Sequence, residues 1–186
     1  MESLKVRQAT RDDEPFLWLM LYYAAHMDEQ GLDTSAARNS PVIAKYVEGW
    51  GRHGDLGFLA VESVRNEPIG AAWLREFTRT NPGHGFIDES IPELAIAVLP
   101  SHTGCGIGTA LLQELVVAAR QKYRGVSLSV RQSNPAVRLY ERLGFRKVPA
   151  SEMVNRVGGI SIIMELVFGA REAPNFGMQP PAFGRG

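Results

Sequence analysis

The chain of 186 residues has one cysteine, Cys105, so no internal disulfide can form and a multi-cysteine metal site is excluded. That suits a reducing compartment. It has no excess of charge either: twenty basic and twenty acidic side chains cancel, which leaves no electrostatic footprint for nucleic acid or an anionic membrane. Long hydrophobic runs are missing as well. The most apolar stretch, residues 16–25, is about half of the ~20 residues that a bilayer-spanning helix needs. It follows Asp12, Asp13 and Glu14 rather than a basic leader, so it does not read as a signal peptide. The expectation is a cytoplasmic protein with neither nucleic-acid nor membrane partners. Its four histidines show no paired ligand spacing, and no metal is expected. Hydrophobic residues at 45% and charged ones at 22% are ordinary for a globular domain. Residues 1–168 are expected to form that domain, with 169–186 as a loose tail rich in proline and glycine.

Periodicity orders the elements. Leu4, Val6 and Gln8 alternate with Lys5 and Arg7 in a short opening strand. Thr10, three residues before Asp13, is a cap-like start for a helix reaching about residue 26. Residues 28–40 read as a loop. Ile43, Tyr46, Val47 and Trp50 on one side predict a helix over 42–50. Strands over 58–63 and 69–77 flank a polar turn, and residues 78–92 form a long loop of the length that is usually functional or mobile. A buried strand over 94–99 stops at Pro100. After a glycine-rich loop, Ile107, Leu111, Leu115 and Ala118 place an apolar stripe on a helix. Val126, Leu128 and Val130 then alternate with Ser127, Ser129 and Arg131. Asn134-Pro135 is a helix start and Gly144 its left-handed end. Residues 145–154 and 160–168 pair as a final hairpin across Val157-Gly158-Gly159.

The loop Thr103-Gly104-Cys105-Gly106-Ile107-Gly108 runs from a strand into a helix. Such a junction offers free backbone N–H groups at the positive end of the helix, a site for phosphate or diphosphate. A kinase-type loop would need lysine and then serine or threonine after Gly108, where Thr109-Ala110 stand. A dinucleotide fingerprint would need a further small residue where Thr109 or Leu111 stand, and an acid where Arg131 stands. Both readings weaken.

The segment from Val98 to Leu112, Val-Leu-Pro-Ser-His-Thr-Gly-Cys-Gly-Ile-Gly-Thr-Ala-Leu-Leu, resembles the acetyl-CoA motif of the GNAT N-acetyltransferases. The segment from Asn134 to Phe145, Asn-Pro-Ala-Val-Arg-Leu-Tyr-Glu-Arg-Leu-Gly-Phe, resembles that family's second motif, in order and at the right distance. The resemblance implies an α/β (α+β) fold of GNAT type: a mixed, mostly antiparallel seven-stranded sheet whose fourth and fifth strands splay, flanked by about four helices. It implies direct transfer of an acetyl group from acetyl-CoA to a primary amine, on a small-molecule or peptide acceptor. A homodimer is a family-level expectation. Ile96, Ala97 and Val98 would offer backbone groups to the pantetheine arm, with an amide near Val98 polarising the thioester. Thr103, Gly104, Cys105, Gly106, Ile107, Gly108 and Thr109 would cradle the diphosphate. Asn134 would meet the cofactor arm, and Tyr140 would lie near its sulfur as an acid for the leaving thiolate. The family pattern has Gln or Arg where Thr103 stands, so cofactor binding would lean on the backbone amides, or on Arg138 or Arg142.

Deprotonating the acceptor requires a base. Glu93 is the first candidate, with Asp88, Glu89 and His84 behind it in the preceding loop; the three carboxylates together would attract a cation. Direct transfer needs no nucleophile at Cys105. A non-catalytic acyl-CoA-binding or regulatory module on the same fold is the alternative from another class.

Overall fold

The computed structural model describes residues 4–169. The tail expected over 169–186 lies outside them, apart from Gly169.

Strands β1 (Leu4–Gln8), β2 (Leu56–Glu62), β3 (Glu67–Arg75) and β4 (Glu93–Val98) form an antiparallel meander. β4 meets β5 (Gly125–Arg131) in parallel, and β5 pairs with β8 (Ile160–Val167) in antiparallel register over seven residue pairs. Two short strands, β6 (Arg146–Lys147) and β7 (Met153–Val154), also pair with β8. The sheet is therefore the expected mixed, mostly antiparallel one, but with eight strands. The added strand comes from the predicted strand over 145–154, which the chain interrupts. Pro149 has no N–H for the ladder, Ala150 takes a positive φ of 55°, and the Ser151 hydroxyl accepts the Ile163 N–H at 3.1 Å in place of a strand carbonyl.

Helices cover both faces of the sheet. On one, α3 (Ile107–Arg120) lays Ile107, Leu111, Leu112, Leu115 and Ala119 against Leu74, Leu94, Leu128 and Met164, and α4 (Val137–Arg142) adds Tyr140. On the other, α1 (Glu14–Ala24) buries Leu17, Trp18, Met20 and Leu21 against Leu59, Val61, Ala71 and Trp73. Burial on both faces accounts for β3, whose last seven residues are all buried, reading as a continuous rather than alternating run. No helix among the described residues is long and apolar enough to cross a membrane.

The helix predicted over 42–50 shrinks to one turn, α2 (Pro41–Ala44). Two side chains of β3 capture three carbonyls that its continuation would use. The Arg75 guanidinium donates to Lys45 O at 3.1 Å and Glu48 O at 2.5 Å, and the Trp73 indole donates to Tyr46 O at 2.9 Å. Nη1 of the same guanidinium also donates to both carboxylate oxygens of Asp55, at 2.7 and 2.8 Å, both side chains being buried. Removing one partner of such a pair leaves a buried charge uncompensated. Arg75→Ala is expected to lose about 3–5 kcal/mol of stability, measured as a lower urea midpoint at neutral pH.

Candidate active site

β4 and β5 pair at one position only, Glu93 with Ser127. Beyond it they diverge. The Leu99 N–H bonds to Ile69 O of β3 at 2.9 Å, and antiparallel alternation then turns the main-chain groups of Ala97 and Ala95 toward β3 as well. Those of Ile96 and Val98 point the other way, into the gap. The gap opens into a cavity of about 1010 Å³. It cuts through the sheet, so residues of both faces line it: Ile96, Val98, Leu139 and Tyr140 from the α3 side, and Ala95, Ala97, Tyr46 and His84 from the α1 side.

At one mouth lies the start of α3. Gly104 and Gly106 have φ of 77° and 79°, and a methyl group on either would meet no protein atom within 4 Å. They turn the chain so that α3 begins at Ile107, and the first intrahelical bond is Ala110 N–H to Gly106 O. The N–H groups of Ile107, Gly108 and Thr109 are the unpaired donors of the first turn. Thr103, Gly104, Gly106, Ile107, Gly108 and Thr109 all line the cavity. The Thr103 hydroxyl donates to Pro100 O at 3.0 Å, so its proton closes the loop instead of facing an anion. Cys105 is exposed, outside the lining, with its thiol against Thr103 O.

Asn134 and Tyr140 line the cavity from the α4 segment. Asn134 Oδ1 accepts the Ala136 N–H at 2.9 Å, a turn closure just ahead of a helix that starts at Val137, two residues later than predicted. Tyr140 is 6% exposed, tilted against Phe145, and burial pushes its phenol up to about 12. Of the two arginines, Arg142 borders the cavity. Arg138 is exposed and outside it, with no part in the lining that the sequence reading gave it.

On the opposite face Glu93 is 3% exposed. Its Oε1 accepts the Tyr46 hydroxyl at 2.8 Å, and its Oε2 is enclosed with no hydrogen-bond partner. Burial raises this carboxyl to about 7, against smaller lowering by Tyr46, the Gly85 amide and Lys45. The Tyr46 oxygen accepts the His84 N–H at 2.6 Å, and His84 Nδ1 lies 3.1 Å away.

The family profile described as acetyltransferase (GNAT) matches residues 7–145. The chain belongs to this family. A ribosomal protein bS18-alanine N-acetyltransferase of Haemophilus influenzae is 44% identical over 54 residues, 28% of this chain and 37% of that protein. A mycothiol acetyltransferase of an Arthrobacter species is 28% identical over 159 residues, 84% of this chain and 46% of that protein. The chain thus spans less than half the length of these curated relatives. A Salmonella typhimurium protein solved with its cofactor acetyl-CoA superposes with a TM-score of 0.68 at 21% identity, covering 94% of this chain and 99% of that one. A ribosomal-protein-alanine N-acetyltransferase from Brucella melitensis gives 0.65 at 23%, covering 88% and 99%.

Within this GNAT fold, the acidic cluster predicted for the acceptor side does not assemble. Asp88 is engaged by Ser90 and Arg124, and Glu89 accepts the Arg79 N–H and borders a separate, smaller cavity. Only Glu93 reaches the main one. On α1, Tyr23 lines the cavity while Trp18 and Tyr22 are core, as is Trp50 beyond α2. Sequence reasoning missed Tyr46 as a site residue, because it sits in an apolar stripe; its signal was the hydroxyl, which a buried tyrosine must satisfy. It also missed Glu29, held by Arg131 at 2.5 Å and His26 at 2.8 Å at the cavity edge. Among the described residues no cluster of metal-ligating side chains occurs.

The raised Glu93 carboxyl has a consequence for stability. An acid that binds its proton more tightly in the fold contributes stability that is complete below its unfolded value near 4.5 and lost as pH rises through about 7. Glu93→Gln keeps an acceptor for Tyr46 and cannot ionise. Above pH ~7 this variant is expected to be more stable than the parent by on the order of 3 kcal/mol, the gain vanishing below about pH 4.5 in denaturant titrations.

Proposed function

We propose that this domain transfers an acetyl group from acetyl-CoA directly to a primary amine. The observation that carries the reading is the strand gap, flanked by unpaired α3 amides at its mouth and by an acid and a base candidate on opposite faces. The unpaired donors of residues 107–109 and the open turn at Gly104 and Gly106 fit a diphosphate, with Arg142 as the nearby cation. The gap-facing main chain of Ile96 and Val98 fits an extended, amide-bearing arm, as a sheet edge takes an added strand. Bound there, acetyl-CoA supplies an activated acyl group as a thioester. The Val98 amide is the donor suited to the thioester carbonyl. Tyr140, kept neutral by burial, is the hydrogen-bond donor and acid for the departing sulfur. Glu93 is the proton sink for the amine on the other face. Holding donor and acceptor together supplies most of the rate, since the chain has little covalent chemistry to perform.

The acceptor is a small-molecule or peptide amine. One relative is named for the alanine of a ribosomal protein, and an N-terminal alanine peptide is therefore the natural first probe. Calorimetry with acetyl-CoA and thiol release with amine acceptors test the reading together; binding without turnover would favour a non-catalytic acyl-CoA module. Tyr140→Phe is expected to lower kcat about 100-fold with acetyl-CoA affinity retained. Gly106→Ala is expected to weaken acetyl-CoA about tenfold, since a left-handed residue costs ~1–2 kcal/mol. No protein atom obstructs a methyl there.

A further inference from the structure

The base candidate has a defect that its surroundings repair. Glu93 borders the cavity with only 3% of its surface exposed: Oε2 is enclosed, and a methyl on Gly83 would stand 2.0 Å from it, so main chain covers that side. Oε1 is occupied by the Tyr46 hydroxyl. An amine in the cavity therefore meets a carboxylate with one oxygen enclosed and the other already bonded. Tyr46 is itself buried, 5% exposed. His84, stacked on Tyr46 with ring centroids 5.9 Å apart, is exposed and lines the cavity.

Valence fixes the resting protons. The Tyr46 hydroxyl has one hydrogen, and it goes to Glu93; the contact of 3.1 Å with His84 Nδ1 is then a hydrogen bond only if Nδ1 carries the proton and donates. That leaves His84 Nε2 with a free lone pair. We propose that His84, Tyr46 and Glu93 form a proton wire that carries the acceptor's ammonium proton from the cavity to the buried carboxylate. Resting on the acetyltransferase reading, it assigns Tyr46 and His84 roles in that reaction.

The transfer balances. His84 Nε2 takes a proton from R–NH3⁺; Nδ1 releases its proton to the Tyr46 oxygen; the phenol passes its own to Glu93 Oε1. The products are R–NH2 and a neutral carboxyl, and His84 is left as the other neutral tautomer. Tyr46 and His84 each gain and lose one proton, and no charge remains on either. The charged groups around the wire favour this. Lys45, beside Tyr46 in sequence, and Arg156, from the β7–β8 turn, both hold His84 below its ordinary value, after the main cause, desolvation of the ring where it packs on Tyr46 although the residue as a whole is exposed. Burial and the Glu93 charge hold Tyr46 above its own. Ser127, the β5 partner of Glu93, is neutral and buried on the same face. Arg75, the β3 partner, is committed to Asp55.

The wire makes a prediction that needs no acceptor. Once Glu93 binds its proton, the chain of hydrogen bonds reverses, and Tyr46 must donate to His84 Nδ1. Nitrogen-15 spectra of the imidazole should therefore report Nδ1–H above pH ~7 and Nε2–H just below it, before the ring itself protonates. This flip should vanish in Tyr46→Phe and in Glu93→Gln. In transfer to an N-terminal alanine peptide, Tyr46→Phe and His84→Ala should each lose about 100-fold in kcat/KM while binding acetyl-CoA as the parent does, and free imidazole should restore part of the His84→Ala loss only. One tautomer throughout, or an unchanged flip in Tyr46→Phe, overturns the wire and leaves the acetyltransferase reading intact. Failure of the unaltered chain to bind acetyl-CoA in calorimetry overturns that reading and the wire's role together.

Discussion

The site depends on one strand pair that is almost not made. β4 and β5 share a single ladder position, Glu93 with Ser127, and every further hydrogen bond between them would close the cavity. Ile96 and Val98 thereby keep main-chain groups that a continuous sheet would consume. Unpaired backbone groups are costly when buried, so the gap persists only because it is open to solvent or to a ligand. Around it the sheet is held elsewhere: β5 is secured along seven pairs with β8, and β4 along six with β3. Loop 78–92 adds a brace, since Gly85 lies so close to the β5 main chain that a methyl there would stand 2.7 Å from the Leu128 carbonyl carbon.

The gap also divides labour between two faces. Along β5 the apolar residues Val126, Leu128 and Val130 join the α3 core, which puts Ser127, Ser129 and Arg131 on the other side. There Ser129 and Arg131 become cavity wall. A period-two strand ordinarily turns its polar side to water; here it turns it to the face where Glu93, Tyr46 and His84 meet. Tyr140 stands on the opposite face with Leu139 and Phe145. Two groups with opposite tasks are thus desolvated separately, which is what allows each to depart from its ordinary value.

Much of this was legible in the residues. Order and spacing of the two motifs placed the glycine turn, α3, Asn134 and Tyr140 around one cavity, and alternation located β5. Local chemistry is sufficient for such elements, because positive φ at Gly104 and Gly106 and the apolar stripe of α3 are written in a few neighbouring positions. What failed was decided by distant contacts. The helix predicted beyond Ala44 is stopped by Arg75 and Trp73, side chains some thirty residues away that no periodicity of 42–50 can announce. The strand over 145–154 is broken where Ser151 substitutes for main chain toward Ile163. Asp88 and Glu89, adjacent to one another and near Glu93 in sequence, part company because Ser90 and Arg124 claim the first and the Arg79 amide the second.

The same distant contacts set the chemistry of Glu93. Its cross-strand neighbour is Arg75, on the same face of the sheet and fully buried. A guanidinium turned to that carboxylate would favour the ionised form strongly and pull it below the ordinary range, leaving a poor base. Asp55 prevents this. Both of its carboxylate oxygens accept from Arg75 Nη1, and the carbonyls of Lys45 and Glu48 accept from Nε and Nη2. The cation beside Glu93 is thereby spent on shaping the turn that carries Tyr46, and Tyr46 is the neutral donor that Glu93 receives instead. One ion pair accordingly does two things: it ends α2 where Tyr46 can reach the carboxyl, and it withholds the charge that would have made that carboxyl too acidic to accept a proton near neutral pH.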